Sequence, residues 1–435
     1  MKVFLHAFGC QMNKLDGELA MGALRQAGYD ECDDPEQADV ILYNTCSVRH
    51  HAEERVYSHV GKLKELKQRR PEVVIGILGC MAQKDQRRIF ERLPHVGLVC
   101  GTREFPRIVE LIDRARRDRH VLACAEDLPV HEDRDVARRP NRWQGFITIM
   151  RGCDNYCAYC VVPYVRGREV SRPPREVLGE AKRLVDDGCR EITLLGQNVN
   201  SYGKSFGKPG ALVDLLGEID RLAGLTRLRF VTSHPKDMTR EILQAVRDLP
   251  RVCEYLHMPA QSGSDRILAA MNRRYTAAHY RELAAMAREI IPGVAIVSDF
   301  IVGFPGETEE DFERTAQLVR DLRFQNSYVF KYSPRPATAA AKLSDDVPFA
   351  EKKRRNQALL EIQAAISVEN NAGFVGQDVE VFVEGRSARD ARRLTGRLRS
   401  NEIVIFAGDE SSAGSLVRVR IESSTPLTLR GSRVD

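Results

Sequence analysis

The apolar run Phe146-Ile147-Thr148-Ile149-Met150 ends at Arg151-Gly152 and leads directly into Cys153-Asp154-Asn155-Tyr156-Cys157-Ala158-Tyr159-Cys160. The run reads as a strand and Arg151-Gly152 as its breaker, so the three cysteines occupy a loop at the strand's C-terminal end. At spacing C-x3-C-x2-C, three thiolates can hold three irons of a 4Fe–4S cluster. No fourth Cys is at hand locally, so one iron would remain open to a ligand, as a cluster that does chemistry requires. Zinc is the competing reading. It usually takes four ligands, and a further Cys or a His could come from elsewhere in the chain. The spacing alone leaves both open.

Downstream, strand and helix alternate. Helices are expected at about 174–187, 211–222, 240–249 and 309–322, with a helical pair over 265–291. Strands are expected at 191–195, 228–231, 253–256, 295–302 and 326–331. With the first strand this makes about six βα units, a partial (β/α)6 barrel whose function sits at the strand C-termini. The loops there are rich in Gly, Gln and Ser: Gly196-Gln197-Asn198-Val199-Asn200, Thr232-Ser233-His234-Pro235, Pro259-Ala260-Gln261-Ser262-Gly263-Ser264 and Gly303-Phe304-Pro305-Gly306-Glu307-Thr308. Each alone reads as a turn with a helix cap. Together they give a barrel mouth of neutral hydrogen-bonding groups, which suits a nucleoside and an amino-acid zwitterion. His234 and His257 lie here as well and are assigned no role.

Upstream, residues 1–118 also alternate. Strands are expected at 3–8, 40–43 and 73–78 and helices at 14–27 and 52–69, an open parallel α/β domain. Cys10, Cys46 and Cys80 each fall just past one of these strands. The carboxyl ends of parallel strands share one edge, where ligands bind. Three cysteines far apart in sequence can therefore meet there and offer a second set of three thiolates, with ordinary buried cysteines as the alternative. Cys32, Cys100, Cys124, Cys189 and Cys253 lack this pattern and read as structural. Between the two domains, around 119–138, periodicity fades and charges mix with prolines, as in a linker.

The loop with Tyr159 before its last Cys resembles the radical S-adenosylmethionine (SAM) enzymes. Nearly the whole chain is similar to the methylthiotransferases within them. Asn44-Thr45-Cys46-Ser47-Val48-Arg49, Gly79-Cys80-Met81-Ala82-Gln83, Arg151 through Tyr164, Leu195 through Asn200 and Ser298 through Thr308 carry the likeness. The segments after Thr45-Cys46 and in the Gly-Gln-Asn loop resemble the dimethylallyladenosine type. Sister families act on threonylcarbamoyladenosine in tRNA or on a ribosomal-protein aspartate. A protein that binds RNA and holds iron–sulfur or zinc without catalysis is a third reading.

The resemblance implies two 4Fe–4S clusters, one on Cys153, Cys157 and Cys160 and one on Cys10, Cys46 and Cys80. It also implies that SAM lies against Tyr159, Gly196, Gln197, Ser233, Gln261 and Asp299. One SAM would methylate a sulfur and another would generate a radical, adding a methylthio group at C2 of the adenosine beside the anticodon. An electron donor such as flavodoxin or ferredoxin, and a sulfur donor or iron–sulfur carrier protein, would complete the cycle. In one departure from the family pattern, Pro336-Ala337-Thr338 stands where Pro-Gly-Thr is expected.

The central domain spans 139–371 and a third, small β-barrel is expected at 372–435, with strands at 378–383, 393–398, 403–406 and 415–421. Arg386, Arg389, Arg392, Arg393, Arg397 and Arg399 cluster in one hairpin region. This reads either as a solvated surface or as a phosphate-backbone contact. The position and pattern resemble the TRAM domain, which implies tRNA contact. The 435 residues, 43% hydrophobic and 29% charged, are ordinary for a chain with a sizeable core, and a net charge of +5 permits an anionic partner without demanding one. There is no run of ~18 apolar residues and no leader-like start, so no membrane span or export is expected. An odd count of 11 cysteines argues against a disulfide framework. A cytoplasmic monomer is the expectation.

Overall fold

A computed structural model describes residues 1–47, 50–125, 139 and 141–434, apart from the side chains of residues 50–52. Most of the expected linker, residues 126–138, lies outside the described residues, as do Val48 and Arg49 of the second cysteine motif. The chain forms two compact units.

The first unit comprises Met1–Arg139 with Arg151–Asp154 and Cys160–Glu169. Its sheet holds β1 (Lys2–Phe8), β2 (Asp30–Glu31), β3 (Val40–Thr45), β4 (Val74–Gly79), β5 (Leu98–Cys100) and β6 (Val121–Ala123). The strands are all parallel, in the order β2-β1-β3-β4-β5-β6. Val40 and Leu42 pack on one face with Ala20, Met21 and Leu24 of the helix Gln11–Gln26; Ile41, Tyr43, Ile75 and Ile77 pack on the other with Val56 and Val60. Burial on both faces is why these strands read as continuous apolar runs. Each fully buried Val, Leu or Ile contributes roughly 1.5–3 kcal/mol. The chain leaves β1 for β2 on one side and returns to β3 on the other, so the sheet's switch point lies between β1 and β3, where ligands bind in such folds.

Three local expectations need correction. Val121–Ala123, read as linker, forms the edge strand β6; three residues are too few to carry a periodic signal. The helix expected over 52–69 is two, His50–Lys62 and Lys64–Arg69, meeting at Leu63. Cys100 ends β5 and Cys124 immediately follows β6, so a cysteine at a strand's C-terminal end is not special to Cys10, Cys46 and Cys80.

The second unit comprises Pro140–Met150, Asn155–Tyr159 and Val170–Asp435. Six parallel strands form two half-sheets. One holds β7 (Gln144–Thr148), β8 (Glu191–Leu195) and β9 (Arg227–Phe230); the other holds β10 (Tyr255–His257), β11 (Ala295–Val302) and β12 (Asn326–Lys331). A bridge between Leu228 and Val252 and a hydrogen bond from Ser233 N–H to His257 O join them. This is the expected partial barrel. Side-chain oxygens of Thr239, Ser264, Thr276 and Thr308 cap the helices that follow, and Thr308 with Asp311 completes a capping box. Each cap contributes about 1 kcal/mol. Ala337 adopts φ +69°, a left-handed conformation that explains why glycine suits this position.

The helix Phe349–Ala372 leads to a closed barrel of β13 (Asp378–Arg386), β14 (Arg393–Arg397), β15 (Ile403–Ala407), β16 (Leu416–Ser424) and β17 (Thr428–Val434), in the order β13-β14-β15-β17-β16. The closing strand β17 was not among the four expected. Its sequence, Thr-Leu-Arg-Gly-Ser-Arg-Val, dilutes the apolar alternation with Gly431 and Ser432. This small barrel is fastened to the larger one by arginines. Arg229 donates to Glu191 Oε2 (3.0 Å), Arg399 O (2.7 Å) and Leu398 O (2.8 Å), and the fully buried Arg227 donates to Arg397 O (2.6 Å). Trp143 lies so close to Gly414 that a Cβ there would fall 2.1 Å from its ring.

Candidate active site

The β1/β3 switch point brings two of the predicted thiols together: Cys10 Sγ lies 3.9 Å from Cys46 Sγ. Cys10 holds the N-cap position of the helix Gln11–Gln26, without a side-chain cap hydrogen bond, and Cys80 begins the helix Cys80–Asp85. The chain reaches this crevice through two left-handed glycines. A Cβ on Gly9 (φ +128°) would fall 2.2 Å from Cys46 Cβ, and one on Gly79 (φ +90°) would fall 2.2 Å from Asn44 Oδ1. The Cys46 hydrogen bond brings the Cys10 thiol down to about 6 against the effect of burial, helped by the charge of Arg166. Burial pushes the Cys80 thiol up, and Arg166 opposes it.

A buried polar network supports these thiols. Asn13 Oδ1 lies 3.7 Å from Cys10 Sγ and accepts from Arg166 Nη2 at 3.3 Å; Asn13 Nδ2 donates to Asn44 Oδ1 at 3.2 Å. Asp16, fully buried, accepts from Arg166 Nη2 at 2.7 Å and from Arg151 Nη2 at 3.2 Å. Val161 and Val165 pack on Cys80. Asn13, Asp16, Arg151 and Arg166 were not singled out from sequence. Arg151 and Arg166 do flank the Cys153–Cys160 motif, and a pair of arginines around a cysteine loop was the available signal.

Of the second set, Cys153 is buried and its N–H donates to Gly167 O at 3.2 Å, and Cys160 is half-buried. Cys157, in the barrel unit, accepts from Arg273 Nη1 at 3.3 Å. Arg273 is itself buried and also donates to Pro259 O (2.7 Å) and Tyr275 Oη (2.9 Å), and its Nη1 lies 3.3 Å from Tyr159 Oη. The loop is pinned by Ala158 N–H to Met271 O and by Ala340 N–H to Ala158 O. All eleven cysteines are free thiols. Among the described residues, no three His, Cys, Asp or Glu side chains close around a point fit for one metal ion. A cluster asks instead for thiolates spread over separate irons, and reduced thiols backed by buried arginines suit that demand.

The predicted SAM contacts lie around the barrel mouth. Gly196 follows β8, and a Cβ there would meet Met150 Cγ at 2.6 Å. Ser233 follows β9; its buried Oγ has no hydrogen-bond partner among the described residues, which fits a group that awaits a ligand. Gln197 is half-buried in the loop after β8. Gln261 takes φ +71°, donating to Asp299 O (2.8 Å) and accepting from Ile301 N–H (3.0 Å). Asp299 stands within β11 rather than past its end and lies 3.3 Å from His257 Nε2. Burial and the nearby charges of Arg273, Lys236 and Arg274 push His234 down to about 2, so it is neutral.

The six arginines of the C-terminal barrel do not act as one patch. Arg399 is turned inward to Glu254 (2.7 and 2.8 Å), Pro250 O and Val252 O, and Arg397 pairs with Glu384 at 2.9 Å. Both side chains are engaged as ties within the barrel unit. The acid that engages Arg399 is remote in sequence, whereas Glu384 lies in the first strand of the same hairpin as Arg397. Arg386 pairs with Glu410, Arg392 and Arg393 lie by Asp390, and these three and Arg389 remain exposed.

The profile of the Uncharacterized protein family UPF0004 matches residues 2–101, that of the Radical SAM superfamily residues 147–319, and that of the TRAM domain residues 373–434. The tRNA-2-methylthio-N(6)-dimethylallyladenosine synthase of Moorella thermoacetica is 46% identical over 433 residues, covering 98% of this chain and 97% of its own length. The chain belongs to the tRNA-2-methylthio-N(6)-dimethylallyladenosine synthase family. The synthase of Acetivibrio thermocellus is likewise 46% identical, over 99% of this chain and 90% of its own length. Among solved structures, the radical SAM methyltransferase TsrM of Kitasatospora setae shares the fold at a TM-score of 0.58 and 15% identity, over 78% of this chain and 75% of its own. Membership of this synthase family favours the dimethylallyladenosine reading over the sister families.

Proposed function

We propose that this protein adds a methylthio group at C2 of N6-dimethylallyladenosine beside the anticodon of tRNA. The observation that carries the reading is relatedness to synthases of that name along the whole chain, all three segments included. Cys153, Cys157 and Cys160 would hold one 4Fe–4S cluster, and Cys10, Cys46 and Cys80 a second. Clusters and SAM supply radical chemistry for an aromatic C–H that offers neither an acidic proton nor a leaving group. The chain's own part is positional. Arg273 fixes Cys157 and Tyr159; Ser233, Gln261 and the Gly196-Gln197 turn offer hydrogen bonds to SAM; Asn13, Asn44 and Arg166 hold the crevice around Cys10, Cys46 and Cys80. The target base leaves its stack to reach such a pocket, and exposed Arg386, Arg389, Arg392 and Arg393 suit the RNA backbone.

No helix among the described residues is long and apolar enough to cross a membrane. We place the protein in the cytoplasm as a monomer, served by a flavodoxin- or ferredoxin-like reductant and by a sulfur donor or iron–sulfur carrier. The test is anaerobic reconstitution. About eight irons per chain should fall to about four in Cys153→Ala/Cys157→Ala/Cys160→Ala, and tRNA carrying dimethylallyladenosine should gain the methylthio group only with the intact protein. About four irons falling to none would remove the second centre. Modification of threonylcarbamoyladenosine instead would replace the substrate.

A further inference from the structure

Arg166 is the unusual group of the first unit. It is buried, it follows the Cys153–Cys160 motif by six residues, and its guanidinium is only partly accounted for. Nη2 binds Asp16 and Asn13, while Nη1, equally buried, has no partner at full hydrogen-bond geometry among the described residues, the Cys80 thiol being close enough to the guanidinium to feel its donor. Asp16 divides its single negative charge between Arg166 and Arg151. A buried cationic donor left with spare hydrogens is costly unless an anion completes it. The groups at hand are sulfur: Asn13 Oδ1 touches both Arg166 and Cys10 Sγ, Cys10 Sγ lies 3.9 Å from Cys46 Sγ, and Val165, the residue before Arg166, packs on Cys80.

We propose that Arg166 Nη1 is the hydrogen-bond donor that holds a sulfur anion, hydrosulfide or methanethiolate, at the Cys10/Cys46/Cys80 centre. The proposal rests on reading those cysteines as a cluster that carries the sulfur to be transferred. A lysine would supply charge without the fork; arginine can keep Nη2 on Asp16 and turn Nη1 to a second anion. Arg166 thus acts as a positioning residue.

The experiment uses the full-length Cys153→Ala/Cys157→Ala/Cys160→Ala chain, reconstituted and reduced, so that only the centre in question contributes. Methanethiol is titrated while the cluster's electron paramagnetic resonance spectrum is recorded. The spectrum should shift with saturation. Adding Arg166→Met should raise the half-saturating concentration about 10- to 100-fold, the range for a charge-assisted hydrogen bond, with iron per chain unchanged. Equal titration with and without Arg166→Met would overturn the role of Arg166 and leave the sulfur-carrying reading standing. A parent chain that binds iron but ignores methanethiol would overturn that reading and the proposal with it. Should Arg166→Met lose iron, Arg166→Lys decides: weakening of about tenfold supports the proposal, and unchanged titration overturns it. Loss of iron in both variants would make Arg166 a requirement for assembly instead, which also overturns it.

Discussion

Replacing Arg229 with methionine should detach the small C-terminal barrel from the large one before either unfolds. The side chain is 5% exposed and its three donors reach Glu191 Oε2, Arg399 O and Leu398 O at 2.7–3.0 Å. Methionine roughly keeps the volume and removes every one of these bonds. The half-buried Arg399 carbonyl loses this donor, Leu398 O keeps only the N–H of Asn401, and Glu191 is left with Gln144 Nε2 at 2.7 Å on its other oxygen. Removing one member of such a buried pair costs about 3–5 kcal/mol. At a urea slope of about 2 kcal/mol/M, that is a fall in midpoint of about 2 M. The readout is built in, because Trp143 is the only tryptophan and its ring faces Gly414 of the small barrel. Its emission should shift at lower urea in Arg229→Met than in the parent. Arg247→Met, which breaks only the exposed pair with Asp248, should leave the curve in place. Superimposed Trp143 curves for Arg229→Met and the parent would refute the claim that these arginines fasten the barrel.

Further outcomes follow from single positions. Gly79→Ala forces a side chain into φ +90° and against Asn44, so it should cost about 1–3 kcal/mol in thermal or urea stability and reduce the iron held in the triple-alanine chain. Ala337→Gly should raise stability by about 0.5–1 kcal/mol, since glycine relieves the left-handed strain at some cost in unfolded-chain entropy; a lowered melting temperature would count against that strain. Burial pushes the Asp311 carboxyl up, but hydrogen bonds from Arg266, Ser264 and Thr308 outweigh it and hold the pKa well below the usual range. The stabilisation is therefore present above about pH 4 and lost as pH falls further; melts from pH 6 to pH 3 should be flatter in Asp311→Asn. For tRNA binding, Arg392→Ala and Arg393→Ala should each lower the slope of log affinity against log salt by about 0.7–1, whereas Arg397→Ala should leave the slope unchanged.

The parts that could be read in the sequence are those where local pattern and position coincide. Cys10 and Cys46 each follow an apolar run, and parallel strands aligned those ends and brought the two thiols to 3.9 Å, although Cys100 and Cys124 share the same kind of position. Ala337 could be flagged as a departure, though its reason, a positive φ, belongs to the backbone. What could not be read is pairing at a distance. Asp16 and Arg166 are 150 residues apart, and nothing local says that either is buried. Arg399 looked like surface charge until Glu254, 145 residues away, turned it inward. Strands β5 and β6, at three residues each, are fixed by neighbours already in place rather than by their own sequence.

The join between the two half-sheets gives the large barrel a seam. Beside it, β9 and β10 meet at Leu228 with Val252 and again at Ser233 with His257, with no strand ladder between them among the described residues. The proposed SAM contacts divide across this line: Gly196, Gln197 and Ser233 on one side, Gln261 and Asp299 on the other. A nucleoside seated there would work as a keystone, locking the two arcs together. Amide hydrogens of Arg229, Phe230 and Val231 should then exchange more slowly once SAM is bound, far beyond any change in the C-terminal barrel.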